Sequence, residues 1–380
     1  MSFSSILHDA EAGRALSRGD LAVLLGARTD EECGALHGAA HRVKRQNVGT
    51  AVRLRGLIEA SNLCTKNCLY CGIRSGNTNI ARYQLSRGEI LELADVARQF
   101  RYGSIVLQAG ERQDAAWVDF IEDTVHGVKA QPGPALGVTL SLGEQTPETY
   151  RRWFAAGAHR YLLRIETSSP TLYAALHPGG HSWDARAACL DELAKGGWQV
   201  GTGVMCGLPG QTLDDLTDDI LFFKKKNVDM IGMGPWIPHS ETPLGAQAGG
   251  SAPCSSTQAG RPVPRWDAAE ALRLGLNMIA ATRLALRDVN IASTTALQAL
   301  APNGRERGLL AGANVIMPNL TPATRRAGYA LYDNKPACDE NAEDTRAKLE
   351  AAVRGVGETI AYDDWGDPPH FEAKKRFGQG

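Results

Sequence analysis

Cys64, Cys68 and Cys71 fall within eight residues of one another in the run Glu59-Ala-Ser-Asn-Leu-Cys-Thr-Lys-Asn-Cys-Leu-Tyr-Cys-Gly72, a Cys-x3-Cys-x2-Cys set. Thiolates are soft ligands that select zinc or iron–sulfur clusters. A structural zinc site wants four ligands, commonly as two pairs, yet no second Cys-x2-Cys exists and no histidine lies close in sequence. A disulfide framework does not suit a chain of 380 residues without a secretory signal. A cubane 4Fe-4S cluster normally takes four thiolates, so three leave one iron open to a small molecule. The expectation is a cluster on these three cysteines. The other five, Cys33, Cys189, Cys206, Cys254 and Cys338, are scattered and read as incidental or buried thiols.

The elements that must position this motif alternate. Strand-like runs cover Val52–Ile58, Ser104–Gln108, Gly137–Leu142, Arg160–Ile165, Gln199–Met205, Met230–Gly234, Asn290–Ser293 and Ala313–Met317. Helical patterns fill the gaps at Ser86–Phe100, Trp117–Lys129, Pro147–Ala156, Arg186–Gly196, Leu213–Asn227, Trp266–Arg287, Arg305–Ala311 and Thr321–Leu331. Ser86 and Glu89 have the spacing of a capping box. Eight strands alternating with eight helices predict an α/β fold, a parallel sheet closed into a (βα)8 barrel. A doubly wound open sheet would leave the last two strands without a place. The cysteine motif then lies in the loop after the first strand, on the C-terminal rim where barrel active sites are built.

The first fifty residues read as helices, with Asp30, Glu31 and Glu32 as acidic first-turn residues. The expected organisation is a helical extension over 1–50, the barrel over 51–335 and a helical tail packing on it over 336–380. The aperiodic Gly/Ser/Ala/Pro-rich stretch Leu244–Val263 reads as a surface loop inserted before the seventh helix. With 41 basic against 42 acidic residues, the net charge of −1 offers no attraction to nucleic acid or to an anionic membrane. Apolar runs fall short of the ~18–20 residues that span a bilayer, and the N-terminus has no signal-peptide core. The expectation is a cytoplasmic protein.

Other motifs are weaker. Gly207-Leu-Pro-Gly-Gln-Thr212 lacks the Lys-Ser/Thr ending of a phosphate-binding Walker loop, and Gly201-x-Gly203-x3-Gly207 is one residue too long for a dinucleotide fingerprint. Both suit a tight turn capping the next helix. Arg164 and Glu166 share a face of the fourth strand by its period of two, as a surface ion pair or as ligands at the barrel mouth. Thr294 and Thr295 end the seventh strand and are equally plain strand formers. Met205, Met230 and Met317 also end strands, where methionine is usually core filler. His177, His181 and His239 read as loop histidines. No nucleophile-elbow motif supports hydrolase chemistry.

The cysteine spacing resembles the signature of the radical S-adenosylmethionine (SAM) enzymes, in which SAM chelates the open iron. Tyr70 fits, as an aromatic residue usually precedes the third cysteine there, and the Gly-Leu-Pro-Gly turn resembles one shaping the adenosyl pocket. Longer runs resemble a narrower family, the HydE maturases of FeFe-hydrogenase. These are Glu59 to Arg74, Ile105-Val-Leu-Gln-Ala-Gly-Glu111, Val138-Thr-Leu-Ser-Leu-Gly-Glu144, Arg160-Tyr-Leu-Leu-Arg-Ile-Glu-Thr167, Gly232-Met-Gly-Pro-Trp-Ile-Pro-His239 and Gly312-Ala-Asn-Val-Ile-Met-Pro-Asn319. The resemblance covers roughly Val48 to Asp333.

It implies a 4Fe-4S cluster and SAM, with Tyr70, Gln108, Glu166, Arg186, Met205 and Met230 around the cofactor. It also implies a deeper substrate cavity lined by Thr139, Arg164, Thr294, Thr295, Met317 and Tyr329. The implied reaction delivers a 5′-deoxyadenosyl radical to the sulfur of a cysteine-ligated iron complex carrying carbon monoxide and cyanide. That complex comes from the partner maturase HydG, and handover to the scaffold HydF is implied next. Two departures stand out: Ala109 replaces a frequent serine, and Cys338 alone remains of a second cysteine trio found in some members. A sister enzyme such as methylornithine synthase, or a non-enzymatic iron–sulfur carrier, remain the competing expectations. Biotin synthase is disfavoured, because the extra cysteines for its second cluster have no counterpart.

Overall fold

A computed structural model describes residues 1–249, 266–336 and 342–376. The strands are β1 (Ala51–Ser61), β2 (Ser104–Ala109), β3 (Gly137–Ser141), β4 (Arg160–Leu162), β5 (Gln199–Thr202), β6 (Met205–Cys206), β7 (Met230–Ile231), β8 (Gly234–Pro235), β9 (Asn290–Ile291), β10 (Val315–Ile316) and β11 (Thr359–Ala361). Eight of them pair in parallel in the order β10-β1-β2-β3-β4-β5-β7-β9. The ring closes where Ala292 bridges Val315, with Ser293 N donating to Val315 O at 2.8 Å and Asn314 N to Ile291 O at 2.9 Å. Every expected barrel strand is present in the expected place. Strands buried on both faces, as here, read in sequence as continuous apolar runs.

Several of those strands are shorter than expected, among them β4, β9 and β10, and two are interrupted. The fifth and sixth each break once, and the pieces beyond the break, β6 and β8, pair separately. The break falls at Gly203 and Gly232, where the two backbones approach so closely that a Cβ on Gly203 would run into the Gly232 carbonyl. Around the ring, helix Arg87–Gln99 starts with the expected capping box of Ser86 and Glu89, and helix Leu213–Lys225 with one of Thr212 and Asp215. The expected helix Thr321–Leu331 is reduced to one turn, Ala323–Arg326, and a 3-10 turn, Ala327–Tyr329. Helix Pro243–Gly249 occupies the start of the stretch expected as loop. The rest of that stretch with Cys254, and Cys338 with part of the expected tail, lie outside the described residues.

Both chain ends are fastened to the bottom of the barrel. Lys44, on helix Asp30–Asn47, is fully buried against Glu358, which also accepts from His41 at 2.7 Å. Strand β11 then pairs with β1 outside the ring. The following residues, 363–368, plug the N-terminal mouth. Gly366 O accepts from Arg55 Nη2 at 3.2 Å and from Asn290 Nδ2 at 2.7 Å. Asp367 Oδ1 takes Arg160 Nη2 at 2.6 Å and Gln199 Nε2 at 2.9 Å. Burial works against the Asp367 charge, but His159, Arg160 and Gln199 hold its carboxyl far below the usual carboxylate range.

Removing one partner of a buried ion pair costs about 3–5 kcal/mol, because the other charge is left without compensation. Asp367→Ala strands the fully buried Arg160 and is expected to lower the unfolding midpoint at pH 7 clearly. A depressed carboxyl stabilises the fold above its unfolded pKa and loses that effect as pH falls towards the folded value. The wild type and the variant should therefore converge in acid. Superimposable denaturation curves at neutral pH would show that the plug contributes nothing.

Candidate active site

The cysteine loop hangs from the end of β1 and is held at both ends by one side chain. The Arg82 guanidinium donates to Asn62 O at 2.7 Å before the cysteines, and to Ile73, Arg74 and Asn77 carbonyls at 2.8, 2.7 and 2.9 Å after them. Asn62 ties the loop further, its Nδ2 donating to Ala81 O at 2.8 Å and Gly328 O at 2.6 Å. From β2, Glu111 N donates to Cys64 Sγ at 3.4 Å, and Glu111 O accepts from Thr65. Gly110 sits so close to Leu63 and Cys64 that a side chain there would displace the loop.

Burial pushes all three thiols up, Cys68 to about 12 and Cys71 beyond it. They become thiolates here only with a strongly cationic partner.

Beside the loop lies a quartet of charges. Lys66 Nζ reaches Glu111 at 3.2 Å and Glu144 at 3.3 Å, and Arg186 Nη1 reaches the same two carboxylates at 3.2 and 2.7 Å. Burial opposes the Arg186 charge and the two glutamates more than offset it. Arg186 Nε also donates to Arg164 O at 2.6 Å, so most of its guanidinium is committed to protein groups. Arg164 in turn pairs with Glu166 at 3.0 Å and donates to Val204 O at 3.0 Å. The two residues do meet, but not by strand alternation. Strand β4 stops at Leu162, and Glu166 has φ of +66°, left-handed and unusual outside glycine. Two residues on, Ser168 N donates to the buried Asp219 carboxylate at 2.6 Å, which fixes this turn.

Tyr70 OH lies 3.1 Å from His177 Nε2, with the rings edge to face. Gln108 Nε2 donates to Tyr329 OH at 3.2 Å. The Gly-Leu-Pro-Gly turn is closed by Gln211, whose Oε1 accepts from Gly207 N at 2.7 Å and whose Nε2 donates to Met205 O at 3.0 Å. That turn also caps the next helix, as expected.

Deeper in the barrel, Thr139, Met230 and Met317 line one cavity with Arg55, Asn290 and Leu162. Met230, expected with the cofactor set, thus shares space with the substrate set. The Thr139 hydroxyl and Arg55 Nε are buried without a hydrogen-bond partner among the described residues. Arg164, Thr294, Thr295 and Tyr329 do not line this cavity; they stand beyond the strand ends. Thr294 packs its hydroxyl against Gly234, and Thr295 begins a short helix, Thr295–Leu300.

Sequence reasoning missed Lys66, Glu111, Glu144, Arg55, Arg82 and the Glu59–Lys335 ion pair. Glu111 and Glu144 follow the ends of β2 and β3 on the rim, a position that could have marked them.

Comparison with known proteins decides the family. Residues 58–223 match the radical SAM superfamily. The chain is 45% identical over 302 residues to the [FeFe] hydrogenase maturase subunit HydE of Thermotoga maritima, covering 79% of each. The chain belongs to the HydE family. It is a radical SAM enzyme of the hydrogenase maturase type, a class that uses a 4Fe-4S cluster and SAM. Further from HydE, it is 27% identical over 325 residues to 3-methylornithine synthase of Methanosarcina acetivorans, 84% of each. Its fold matches a crystal structure of methylornithine synthase with a TM-score of 0.76 at 22% identity, covering 94% of this chain and 98% of that one. It also matches the maturase HydG from Carboxydothermus hydrogenoformans with a TM-score of 0.75 at 19% identity, covering 95% and 79%. No helix among the described residues is long and apolar enough to cross a membrane.

The residues of this HydE-family chain fit the cofactors. The donor set is three soft sulfurs and no fourth thiol in the loop, and burial leaves the thiols in need of cationic iron. Among the described residues, the three thiols are not one of the groups whose ligand atoms all lie within 4.8 Å of one another. A polynuclear cluster spreads its ligands more widely than a single ion does.

Two predictions follow from these supports. Arg82→Ala frees both ends of the cysteine loop, so the purified variant should fold but retain markedly less iron per chain after reconstitution; wild-type iron content would refute the role. Burial raises the Asp219 carboxyl to about 7, so its proton is held more tightly in the folded state than in the unfolded state. Its contribution to stability is present in acid and is lost as pH rises through about 7. Asp219→Asn keeps an acceptor for Ser168 and should be more stable than wild type at pH 8, with the gap closing towards pH 5. A gap that does not change with pH would show that Asp219 is ionised throughout.

Proposed function

We propose that the chain acts on a small cysteine-ligated iron complex bearing carbon monoxide and cyanide, made by a HydG-type partner, in building the di-iron subcluster of FeFe-hydrogenase. Product then passes towards a HydF-type scaffold. The observation that carries this reading is the 45% identity to a HydE over 79% of the chain; a small cavity inside the closed barrel, polar at Arg55, Thr139 and Asn290, lies deeper in the ring. Cys64, Cys68 and Cys71 hold the cluster, and Tyr70, Gln108, Glu166, Arg186, Met205 and Met230 surround SAM. When bound, cluster and SAM together supply a 5′-deoxyadenosyl radical; the hard chemistry is the cofactors' own.

The protein's part is orientation and exclusion of water. Arg164 Nη1 has no hydrogen bond among the described residues, while Nε and Nη2 are pinned by Glu166 and Val204. This leaves one charged donor, on a guanidinium that cannot rotate freely, for the carboxylate of the substrate's cysteine. Charge-assisted bonds of this kind fix direction as well as adding energy. Thr294 and Thr295 supply hydroxyls at the end of the seventh strand, and Thr294 Oγ1 is buried without a hydrogen-bond partner among the described residues. Tyr329, oriented by Gln108, closes the space from the β10 side. The plug of residues 363–368 closes the other end of the barrel and would keep solvent from a reactive species formed inside it.

A carrier of clusters would need the cysteine loop but neither this cavity nor the pinned arginine. The sequence likeness to 3-methylornithine synthase is lower, 27% against 45% for HydE, and an acidic residue placed for a substrate amine is not found on β9 or β10. The test is anaerobic: reconstitute with iron and sulfide, reduce, and measure iron and SAM cleavage with and without the HydG product. About four irons per chain and cleavage that rises with that product support the reading; a cluster without SAM cleavage points to a carrier. Lysine keeps the charge of Arg164 but not its geometry. Arg164→Lys should therefore cleave SAM yet lose roughly 100-fold in turnover, the scale of a 1 Å misplacement. Normal hydrogenase maturation by that variant would remove Arg164 from the substrate site.

A further inference from the structure

The rim carries a second set of candidate metal ligands that shares only Cys68 with the cluster set. Cys68, His177 and His181 bring one ligand atom each to within 4.8 Å of one another. The two histidines flank Pro178-Gly-Gly180, and Gly180 has φ of +94°, a left-handed turn that brings both rings to one side. Their centroids lie 5.1 Å apart. His177 Nδ1 is 2.8 Å from the Tyr173 carbonyl, so Nδ1 carries the proton and Nε2 presents its lone pair towards the cysteine loop. A backbone carbonyl behind a ligating imidazole is the usual device for orienting it. Tyr70 OH, 3.1 Å away, donates to that lone pair and must turn aside for a metal to take it. His181 packs against the loop from the other side, with Asn67 N 3.5 Å from its Nε2.

One thiolate and two imidazoles make a donor set for zinc-class divalent ions. We propose that the cluster-free chain binds one such ion through Cys68, His177 and His181, and that this ion must leave before the cluster can form. Binding exchanges the Cys68 thiol proton, released to solvent, for the metal; no electron moves. In tetrahedral coordination, ligand atoms lie roughly 3.5 Å apart at ordinary zinc bond lengths, so a closure of about an ångström completes the site. The ion's site stands on its own geometry, whereas its competition with the cluster rests on the assignment of Cys68 as a cluster ligand. His177 and His181 then act on cluster assembly by holding Cys68 until iron and sulfide displace the ion.

The test uses the full chain isolated without its cluster and kept oxygen-free. Cobalt(II) is the probe and zinc the competitor. The expected result is one equivalent of cobalt in tetrahedral coordination, with the charge-transfer intensity of a single thiolate, displaced by zinc. His181→Ala should weaken binding by about 100-fold or more, since loss of even an outer partner costs 10–100-fold. The Cys64→Ser/Cys71→Ser double variant should keep the site, which also controls for folding. Three-thiolate intensity, loss of binding in the double variant, or unchanged affinity in His181→Ala would each overturn the site. Separately, one equivalent of zinc should slow iron–sulfide reconstitution of the wild type and leave His181→Ala unaffected. Equal sensitivity of the two, with the cobalt results intact, would overturn the competition alone.

Discussion

Charge buried inside a closed parallel barrel must find its partner within the chain, because removing an ion from water costs several kcal/mol even after relaxation. This barrel buries a great deal of it. Arg55, Arg160 and Arg283 lie within or beneath the ring, Lys44 and Glu358 below it, and Glu59 near the rim. The topology follows from how these charges are met. Asp367 and the Gly366 carbonyl answer Arg160 and Arg55 from the C-terminal segment. Glu358 answers Lys44 from the segment before it, tying the first helices to the last strand. Arg283 is met by backbone instead, donating to the Gly312, Arg287 and Val289 carbonyls at 2.8–2.9 Å and to Asn314 Oδ1 at 3.0 Å. The chain ends are therefore working parts of the barrel: without them its floor would hold uncompensated guanidinium groups.

The same constraint separates what was legible in the sequence from what was not. Strand runs such as Ser104–Gln108 and the capping box at Ser86 and Glu89 depend on neighbours in the chain, and the alternation of strands and helices made the barrel readable. The cysteine loop was readable for the same reason, with three ligands in eight residues. Pairs such as Arg160 with Asp367, or Lys44 with Glu358, join residues hundreds of positions apart, and no local pattern encodes them. Glu166 shows the limit inside a single motif. Its side chain meets Arg164 as expected, yet it does so through a left-handed backbone beyond the strand, held by Asp219 on another helix. The break at Gly203 and Gly232 likewise appears only once two strands are laid side by side.

The residues that the resemblance divides into a cofactor set and a substrate set touch one another in the fold. Met230 lines the inner cavity, and its Sδ lies 2.9 Å from Arg55 Nη1, although the resemblance places it at SAM. Gln108, assigned to SAM, orients Tyr329, assigned to substrate. Such shared contacts couple the position of one set of residues to that of the other. Near-attack placement of this kind is where most of an enzyme's positioning advantage arises.

The quartet beside the cysteine loop resolves a conflict built into that arrangement. The loop must be held rigidly, and Lys66 lies inside the cysteine motif itself. Two bare cations there would pull on any anionic group at the thiols and bias its charge. Lys66 and Arg186 contribute two formal positive charges, and Glu111 and Glu144 two formal negative ones, so the quartet balances as a unit. It therefore supplies hydrogen bonds and stiffness to the loop with little net field. Glu111 connects the two functions: its side chain joins the quartet, and its backbone N–H points at Cys64 Sγ. The charge balance and the hydrogen bond to sulfur thus come from one residue at the end of β2, where barrel geometry fixes both at once.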